Sequence, residues 1–300
     1  MQKLQPGLYV VATPIGQLAD LSERARHVLT HADLICAEDT RKTAALLSAL
    51  QIAKPPLGLV SLHAYNERQQ TPQLLTHLQA GRCVALVSDA GTPGVSDPGA
   101  RLVDEAWRTG QPVFPIPGPS ALTAALSVSG FWASEDQPVT FWGFLPSKAA
   151  ARRAQFDQIG QRAGISIAFE APHRLEASLL EAAEIFGPDC QVLVCREMTK
   201  PFETFLRGTI QEVLAARQAG LGRDSHSGQG EHVLAFEIKP AATRLSQSNL
   251  SLHQWAGLLR EACPPTVSAK ILAKAFRLDR QAAYDFLEAL EPADRDNSTR

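Results

Sequence analysis

Short apolar runs alternate with polar loops and amphipathic segments along roughly the first 130 residues of the chain. Each run is bounded by turn residues, as a buried strand usually is, and is followed by a loop and a segment of helical periodicity. The predicted strands are residues 8–12, 34–37, 57–62, 84–87 and 113–116. The helix after the third strand is predicted to run from Thr71 or Pro72 to Ala80. This repeat predicts an α/β fold with a mostly parallel, doubly wound sheet, whose polar loops lie along one edge.

A second, smaller α/β unit is predicted between residues 138 and 239. Its apolar runs again end in polar or charged residues, and a Gly- and Ser-rich insert at 220–230 precedes the last predicted strand. The helix predicted over 148–159 carries Lys148, Arg152 and Arg153, which we interpret as a basic face.

The C-terminal part predicts three short helices at 252–262, 267–276 and 280–290, in a helix-turn-helix-like bundle after a polar linker. Lys270, Lys274 and Arg277 are spaced to share one helix face, which is either solvated or a phosphate contact. The predicted domains are therefore 1–128, 129–242 and 243–300.

The longest polar loop follows the fourth strand and reads SDAGTPGVSDPG, residues 88–99. Glycine lets backbone approach a ligand closely, and α/β proteins bind ligands at the carboxyl ends of buried strands. An ordinary strand-to-helix turn is the alternative, but such turns usually need only about 2–6 residues. The loop therefore predicts a ligand site.

Composition narrows the function classes. The formal charge is −2, from 29 basic and 31 acidic residues, so any contact with RNA must be local. Five scattered cysteines without a CxxC pair are typical of a reducing cytosol and disfavour zinc. We expect a cytoplasmic protein, because there is no signal-peptide pattern and no apolar run near the roughly 18 residues of a membrane span. The GxxxxGK[ST], GxGxxG, GxSxG and HExxH motifs do not occur.

Charged and polar residues cluster where the predicted strands end. They are Glu38, Asp39, Arg41, His63, Asp89, Ser96, Asp97, Glu170, His173, Arg174, Arg196, Glu197 and Lys200. Together with the Pro- and Gly-rich loops, they suit an uncharged purine with a ribose, or a cationic ligand, better than a pyrophosphate. Glu170 and Glu197 have a second interpretation, as structural partners of Arg174 and Arg196.

Seven motifs occur in one order along the chain. They are VATPIG (11–16), AEDTRKT (37–43), SDAGTPGVSDPG (88–99), PIPGPSA (115–121), GFLP (143–146), FEAPHRL (169–175) and REMTK (196–200). In this order and spacing the sequence closely resembles the bacterial 16S rRNA cytidine-2′-O-methyltransferases. That family lies in the tetrapyrrole-methylase, or class III methyltransferase, superfamily. The chain departs from the family pattern at Gln17, Ala171 and Met198 and in the segment after His63.

The resemblance implies two αβα domains with S-adenosylmethionine in the cleft between them, a homodimer, and 16S rRNA in the small ribosomal subunit as substrate. No metal is expected. The residues implied to bind the cofactor are Pro14, Ile15, Gly16, Asp89, Gly91, Thr92, Val95, Ser120, Ala121, Glu231 and His232.

The resemblance also suggests roles for charged residues in transfer to a ribose hydroxyl. Glu38, Asp39 and Glu197 are candidate proton acceptors. Lys200 either anchors a phosphate or lowers the hydroxyl pKa, and we favour Asp39 and Lys200 as the catalytic pair. Arg41 and Arg174 are candidate phosphate anchors. With an RNA substrate, the face of Lys270, Lys274 and Arg277 becomes a predicted backbone-binding surface.

Three alternatives stay open at this stage. The first is a methyltransferase of the same fold acting on a tetrapyrrole or another small molecule. The second is a non-catalytic RNA-binding or assembly factor. The third is an α/β hydrolase or phosphatase, which is disfavoured because the sequence shows no nucleophile–base arrangement.

Overall fold

The computed structural model describes residues 3–132, 137–221, 231–239, 252–276 and 278–289. Contacts divide the chain into one compact unit, 1–160 with 164–238, that holds two sheets, and a second unit, 161–163 with 239–300, that holds the C-terminal helices. The predicted domain boundaries near residues 128 and 242 stay predictions.

The first sheet is parallel at every pairing and has the order β3-β2-β4-β1-β5. Its strands are β1 Gly7–Val11, β2 Leu34–Ala37, β3 Leu59–Ser61, β4 Cys83–Val87 and β5 Val113–Ile116. The helices between and after them are α1 Glu23–His31, α2 Thr40–Ala49, α3 Glu67–Gln79, α4 Ala100–Arg108 and α5 Ala121–Ser129. Because parallel strands share one direction, the loops after them meet at one edge. The predicted fold class is confirmed.

Alternate residues of the buried strands face opposite layers of the core. Tyr9 and Val11 of β1 pack with residues of α1 and α2. Leu8 of the same strand packs with Leu74 of α3 and Leu102 of α4. Helices therefore cover both faces of this sheet, as the continuous apolar runs predict.

Helix α3 begins at Glu67, one turn before the predicted start, and carries Pro72 in its interior. The Glu67 carboxylate accepts hydrogen bonds from the backbone N–H groups of Gly99, at 3.1 Å, and Arg101, at 2.8 Å. The predicted start at Thr71 or Pro72 is therefore wrong. The first turn of α3 therefore includes a contact with the loop before α4, which is distant in sequence and which the local pattern around Glu67 cannot predict.

The second sheet is mixed and has the order β6-β7-β10-β8-β9. Its strands are β6 Val139–Phe144, β7 Gly164–Glu170, β8 Gln191–Arg196, β9 Thr204–Thr209 and β10 His232–Ile238. Only the pairing of β6 with β7 is parallel. Helices α6 Ala149–Gly160, α7 Leu175–Phe186 and α8 Ile210–Gln218 contribute to the core on one face. The other face packs against α5 and Ile15, which joins the two sheets.

The predicted basic face of α6 is wrong. Arg152 is buried and pairs with Glu181 at 2.6 Å, while the exposed Arg153 pairs with Glu184 at 2.6 Å. Both glutamates lie on α7, so the two positive charges join α6 to its neighbour.

The C-terminal unit contains α9 Leu252–Ala262, α10 Pro265–Phe276 and α11 Arg280–Ala289. A small apolar core joins them through Ala256, Leu259, Ala269, Leu272, Ala283 and Leu287. Lys270 and Lys274 are exposed on α10, whereas Arg277 lies outside the described residues. Of the helices described in either unit, none is long and apolar enough to cross a membrane.

Candidate functional site

A cavity of about 460 Å³ lies where the carboxyl edge of the first sheet meets the second sheet. The loop after β4 supplies one wall, and the ends of β6 and β7 and the start of β10 supply the other. The lining residues are Ile15, Glu38, Lys42, Asp89, Ala90, Gly91, Thr92, Val95, Ser96, Asp97, Ser120, Ala121, Phe144, Phe169, Glu170, Ala171, Pro172, Met198, Glu231, His232 and Val233. This volume is within the usual range of small-molecule sites.

Hydrogen bonds fix the loop after β4 to its neighbours. Thr13 and Gly91 form an antiparallel bridge through two backbone hydrogen bonds of 2.8 and 3.0 Å. The Thr92 hydroxyl donates to the Pro119 carbonyl at 3.0 Å. Gly91 has φ +84°, a conformation that favours glycine. The cavity wall is therefore held in place by the loops after β1 and β5.

Asp89 is oriented by both of its carboxylate oxygens. Oδ1 accepts the backbone N–H of Asp39 at 3.0 Å, and Oδ2 pairs with Lys42 Nζ at 2.8 Å. The bond to Asp89 raises the pKa of Lys42 and so maintains its positive charge. The pair joins α2 to the loop after β4 at the cavity wall.

Asp97 lies in the same cavity among other acidic groups. Burial raises the pKa of Asp97 to about 6, a hydrogen bond from the Ser88 side chain opposes this, and the charges of Glu38, Asp89 and Glu231 add to the increase. The cavity is therefore rich in negative charge, which favours a cationic ligand.

A smaller cavity of about 290 Å³ adjoins the first. Both are lined by Ile15, Lys42, Asp89, Ala90 and Glu231. The smaller one adds Pro14, Gly16, Leu18, Thr43, Leu46, Ser88 and Lys200. It thus adds a second lysine, Lys200, which lines the smaller cavity but not the wall that the two cavities share.

Lys200 is held by two carboxylates. Its Nζ lies 3.0 Å from Glu197 Oε1 and 3.3 Å from Glu231 Oε2. Burial acts to lower the pKa of Lys200, but the two carboxylates outweigh it and the net pKa is raised. Burial likewise acts to raise the pKa of Glu197, yet the Glu231 backbone N–H and Lys200 lower it overall. Lys200 is therefore a fixed positive charge, and Glu197 stays ionised.

The loop after β1 lies directly against the Lys200 segment. A Cβ on Gly16 would lie 2.6 Å from both Lys200 Cγ and Thr199 Oγ1. The Gln17 backbone N–H also donates to Thr199 Oγ1 at 3.1 Å. Glycine at position 16 thus permits the close approach that places Lys200 at the smaller cavity.

Asp39 caps the N-terminus of α2. Its side chain accepts the backbone N–H of Arg41 at 2.8 Å and binds the Arg41 guanidinium through both oxygens, at 3.1 and 2.7 Å. These bonds hold the pKa of Asp39 well below its usual range. A carboxylate in this state is a weak proton acceptor.

Glu170 is buried at the end of β7, and its carboxylate has three hydrogen-bonding partners. It pairs with Arg174 at 2.7 Å, accepts the Ala171 N–H at 2.6 Å and accepts the Ser178 hydroxyl. Arg174 also donates to the Leu145 carbonyl at 3.4 Å. The interpretation of Glu170 and Arg174 as structural partners is therefore confirmed.

The structure brings together all eleven residues implied to bind the cofactor. Nine line the larger cavity, and Pro14 and Gly16 line only the smaller one. Of the nine, Ile15, Asp89 and Glu231 line both cavities. Of the candidate catalytic residues, Glu38 and Lys200 line a cavity. Asp39, Glu197, Arg41 and Arg174 are not among the described lining residues of either one, and their catalytic or RNA-binding roles stay predictions.

Sequence reasoning assigned no role to Lys42 or Phe144 and named Asp97 only as one of the polar residues at the strand ends, yet all three line the larger cavity. All three lie inside the seven motifs, so the sequence could have marked them as candidates for the site. Their exposure and charge environment depend on tertiary contacts. Among the described residues, no group of His, Cys, Asp and Glu has an arrangement that could hold a metal ion.

Known proteins of one family share the fold of this chain. Residues 7–214 match the family of tetrapyrrole (corrin/porphyrin) methylases. A cobalamin biosynthetic enzyme, cobalt precorrin-4 methyltransferase, has a TM-score of 0.53 at 17% identity, over 76% of this chain and 93% of that one. Uroporphyrin-III C-methyltransferase from Thermus thermophilus, solved with S-adenosylhomocysteine, has a TM-score of 0.51 at 17% identity, over 77% of this chain and 98% of that one. The chain therefore belongs to the tetrapyrrole (corrin/porphyrin) methylase family, and the two solved structures share its fold.

Proteins related to this chain in sequence identify a narrower family than the fold does. The ribosomal RNA small subunit methyltransferase I of Xylella fastidiosa is 43% identical over 93% of this chain and 98% of the relative. The proteins of that name from Neisseria meningitidis and Synechocystis are 43% and 39% identical, over 93% and 95% of this chain and 91% and 98% of the relatives. The chain belongs to the ribosomal RNA small subunit methyltransferase I family, and the family resemblance in the seven motifs is confirmed.

Proposed function

We propose that this protein transfers the methyl group of S-adenosylmethionine to the ribose 2′-oxygen of a cytidine in 16S rRNA, in the small ribosomal subunit and in the cytoplasm. The observation that supports this most is the acidic cavity between the two sheets, in a chain of this family. All the residues that the resemblance implies for cofactor binding line that cavity or its smaller neighbour.

The larger cavity fits the cofactor chemically. Ile15, Phe169, Met198 and Val233 offer apolar surface for a purine, while the carboxylates accept hydrogen bonds from ribose hydroxyls and from an amino group. S-adenosylmethionine supplies a methyl group on a positively charged sulfur. The negative charges of Glu38, Asp89 and Asp97 favour such a cation, because opposite charges attract strongly in a partly buried site.

We assign the smaller cavity and its shared wall to the acceptor nucleotide. Lys200 carries a fixed positive charge there, and Lys42 adds a second. An ammonium group beside the acceptor oxygen or its neighbouring phosphate lowers the energy of developing negative charge. The principal task of the protein is then to align the acceptor oxygen with the methyl carbon.

Contacts with the rest of the RNA are assigned to exposed cations. Arg41 lies at the start of α2, and Lys270 and Lys274 lie on α10 of the C-terminal unit. The formal charge of −2 suits a substrate recognised as an assembled particle by its shape. We also propose a homodimer, which light scattering of the purified protein tests.

The function is tested by transfer from S-adenosylmethionine labelled in the methyl group. Three acceptors are compared: small ribosomal subunits lacking the modification, naked 16S rRNA, and a porphyrin precursor. The proposal predicts label in the subunits above that in naked rRNA and none in the porphyrin precursor. Label in the porphyrin precursor alone supports a small-molecule methylase. Binding of the cofactor without label in any acceptor supports a scaffold role.

A further inference from the structure

An exposed tyrosine and three exposed arginines lie along the carboxyl edge of the first sheet. They are Arg41, Tyr65, Arg68 and Arg101, which we call the arginine–tyrosine surface. We propose that this surface binds single-stranded RNA next to the acceptor nucleotide, with the Tyr65 ring stacked on a base and the arginines bound to phosphates. This inference rests on the proposed function and adds a base-stacking residue to it.

The topology of the first sheet places the three arginines at one edge. Arg41, Arg68 and Arg101 are each the second residue of a helix, in α2, α3 and α4. These helices follow β2, β3 and β4, which are neighbours in the parallel sheet, so all three begin at its carboxyl edge. Side chains of a helix tilt toward its N-terminus, so arginines of the first turn point toward that edge. Their charges therefore lie on the side of the sheet where the cavities are.

The loop that carries Tyr65 is joined to the wall of the larger cavity. At the end of β3, the Ser61 hydroxyl donates to the Glu38 carbonyl at 3.5 Å, and Glu38 lines that cavity. Just after Tyr65, the Glu67 carboxylate accepts the Arg101 N–H at 2.8 Å. The loop is therefore connected to the cavity wall on one side and to the start of α4 on the other.

Tyr65 projects from a turn whose backbone is fixed by hydrogen bonds. Asn66 Oδ1 accepts the His63 N–H at 2.8 Å, and the Asn66 N–H donates to the His63 carbonyl at 3.0 Å. The His63 ring contacts the Tyr65 ring edge to face, with 6.1 Å between the centroids. Tyr65 is nevertheless 98% exposed. Because the turn is already ordered, a base that stacks on the ring binds at a small cost in conformational entropy.

The arginines supply a local positive charge in a chain whose formal charge is −2. Within the part of the chain that the structure describes, Arg68 and Arg101 form no ion pair. The Arg41 side chain is 89% exposed, although both oxygens of Asp39 bind its guanidinium. Exposed arginines attract the phosphates of a nucleic acid, and their contribution depends on salt.

A stacking residue beside the cavity suits methylation of a ribose in folded RNA. An acceptor nucleotide has to leave its stack to enter a cavity, which costs free energy and uncovers the neighbouring base. An aromatic ring can stack on that base, whatever its identity, and recover part of the cost. The carboxylates of the larger cavity repel phosphates, so the backbone of the RNA is bound by the arginines outside it.

The test compares Tyr65→Ala, Tyr65→Phe, Arg68→Ala and Arg101→Ala with wild type in the full-length protein. Trp107→Ala and Arg108→Ala are the matched controls, because both residues are exposed and lie at the opposite end of α4. Filter retention measures binding to small ribosomal subunits that lack the modification, at constant magnesium and between about 50 and 200 mM monovalent salt. Calorimetry measures cofactor affinity, and single-turnover transfer is measured at saturating subunits.

Tyr65→Ala should weaken subunit binding by about tenfold or more without changing its salt dependence, because it removes a stacked ring and no charge. Tyr65→Phe should bind within about twofold of wild type. Arg68→Ala and Arg101→Ala should each reduce the slope of log affinity against log salt by about one. All four variants should keep the cofactor affinity and the saturated transfer rate of wild type, and the two controls should match wild type throughout.

The surface is refuted if Tyr65→Ala binds subunits as tightly as wild type, if Tyr65→Phe loses as much affinity as Tyr65→Ala, or if the controls lose as much as the variants. Unchanged salt slopes in both arginine variants also refute it. A wild-type protein that binds subunits but labels no RNA refutes the proposed function, and the binding measurements still decide on the surface. An active wild type whose variants all bind like it refutes the surface alone.

Discussion

The backbone N–H of Asp39 donates a 3.0 Å hydrogen bond to the carboxylate of Asp89. The two residues follow neighbouring strands of the first sheet, β2 and β4, and are 50 positions apart in sequence. This bond fixes the Asp89 carboxylate, which lines both cavities, relative to the start of α2. It links the two motifs that carry most of the acidic residues of the site.

Asp89→Asn should weaken cofactor binding by about tenfold to a hundredfold. The substitution removes a negative charge from the cavity and its ion pair with Lys42, and a hydrogen bond to a charged group is worth about 1.5–3 kcal/mol. Calorimetric titration with S-adenosylmethionine measures the change. Asp20→Asn, at an exposed position, serves as the control, and equal affinities for Asp89→Asn and wild type would remove Asp89 from the proposed cofactor site.

Asp39→Ser should retain up to about five times the transfer activity of Asp39→Ala, as a helix cap worth about 1 kcal/mol allows. Serine can still cap α2, whereas alanine removes the cap, which stabilises the helix start by about 1 kcal/mol. If Asp39 is instead the proton acceptor, as the sequence suggested, both variants should be equally inactive. Single-turnover rates at saturating cofactor distinguish the two roles.

Asp97→Asn should make the protein more stable at neutral pH. The pKa of Asp97 is raised from 3.8 to about 6, so the folded state binds the proton more tightly than the unfolded state. Stability therefore falls as pH rises between these two values, and asparagine avoids that loss.

The gain in unfolding free energy from Asp97→Asn should be larger at pH 7.5 than at pH 5 by about 1 kcal/mol, given about 1.4 kcal/mol per pKa unit. Urea unfolding at the two pH values measures it, with Asp104→Asn, at an exposed position on α4, as the control. A gain that is the same at both pH values would show that the Asp97 carboxyl has an ordinary pKa.

The two arginines of α6 should differ in their contribution to stability. Arg152 is 4% exposed and paired with Glu181, whereas Arg153 is 52% exposed and paired with Glu184. Arg152→Met leaves a partly buried carboxylate unpaired and should lower the unfolding free energy by about 3 kcal/mol. Arg153→Met should change it by less than about 1 kcal/mol. Urea unfolding of the two variants side by side tests this, and equal losses would contradict the assigned burial.

Local patterns were enough to predict the first sheet, because apolar runs and Pro- and Gly-rich loops mark each strand and its end. The motifs likewise pointed to residues that line the two cavities. The start of α3 at Glu67 and the burial of Arg152 were not predictable in this way, since both depend on partners distant in sequence.

The charge state of the site also depends on distant contacts. Lys200 and Glu231 are 31 positions apart, and their pairing fixes the lysine at the smaller cavity. The raised pKa of Asp97 arises from burial and from nearby carboxylates, two of which, Glu38 and Glu231, belong to other segments of the chain. A sequence shows that such residues are present, but their proton affinities follow from the folded arrangement.

The most direct test of the account is nucleoside analysis of 16S rRNA after reaction of unmodified small ribosomal subunits with this protein and isotope-labelled S-adenosylmethionine. The account predicts labelled 2′-O-methylcytidine at one position, recovered as an alkali-resistant dinucleotide, and none when the cofactor is omitted. Label on a base, on another nucleoside, or on no nucleoside would contradict it.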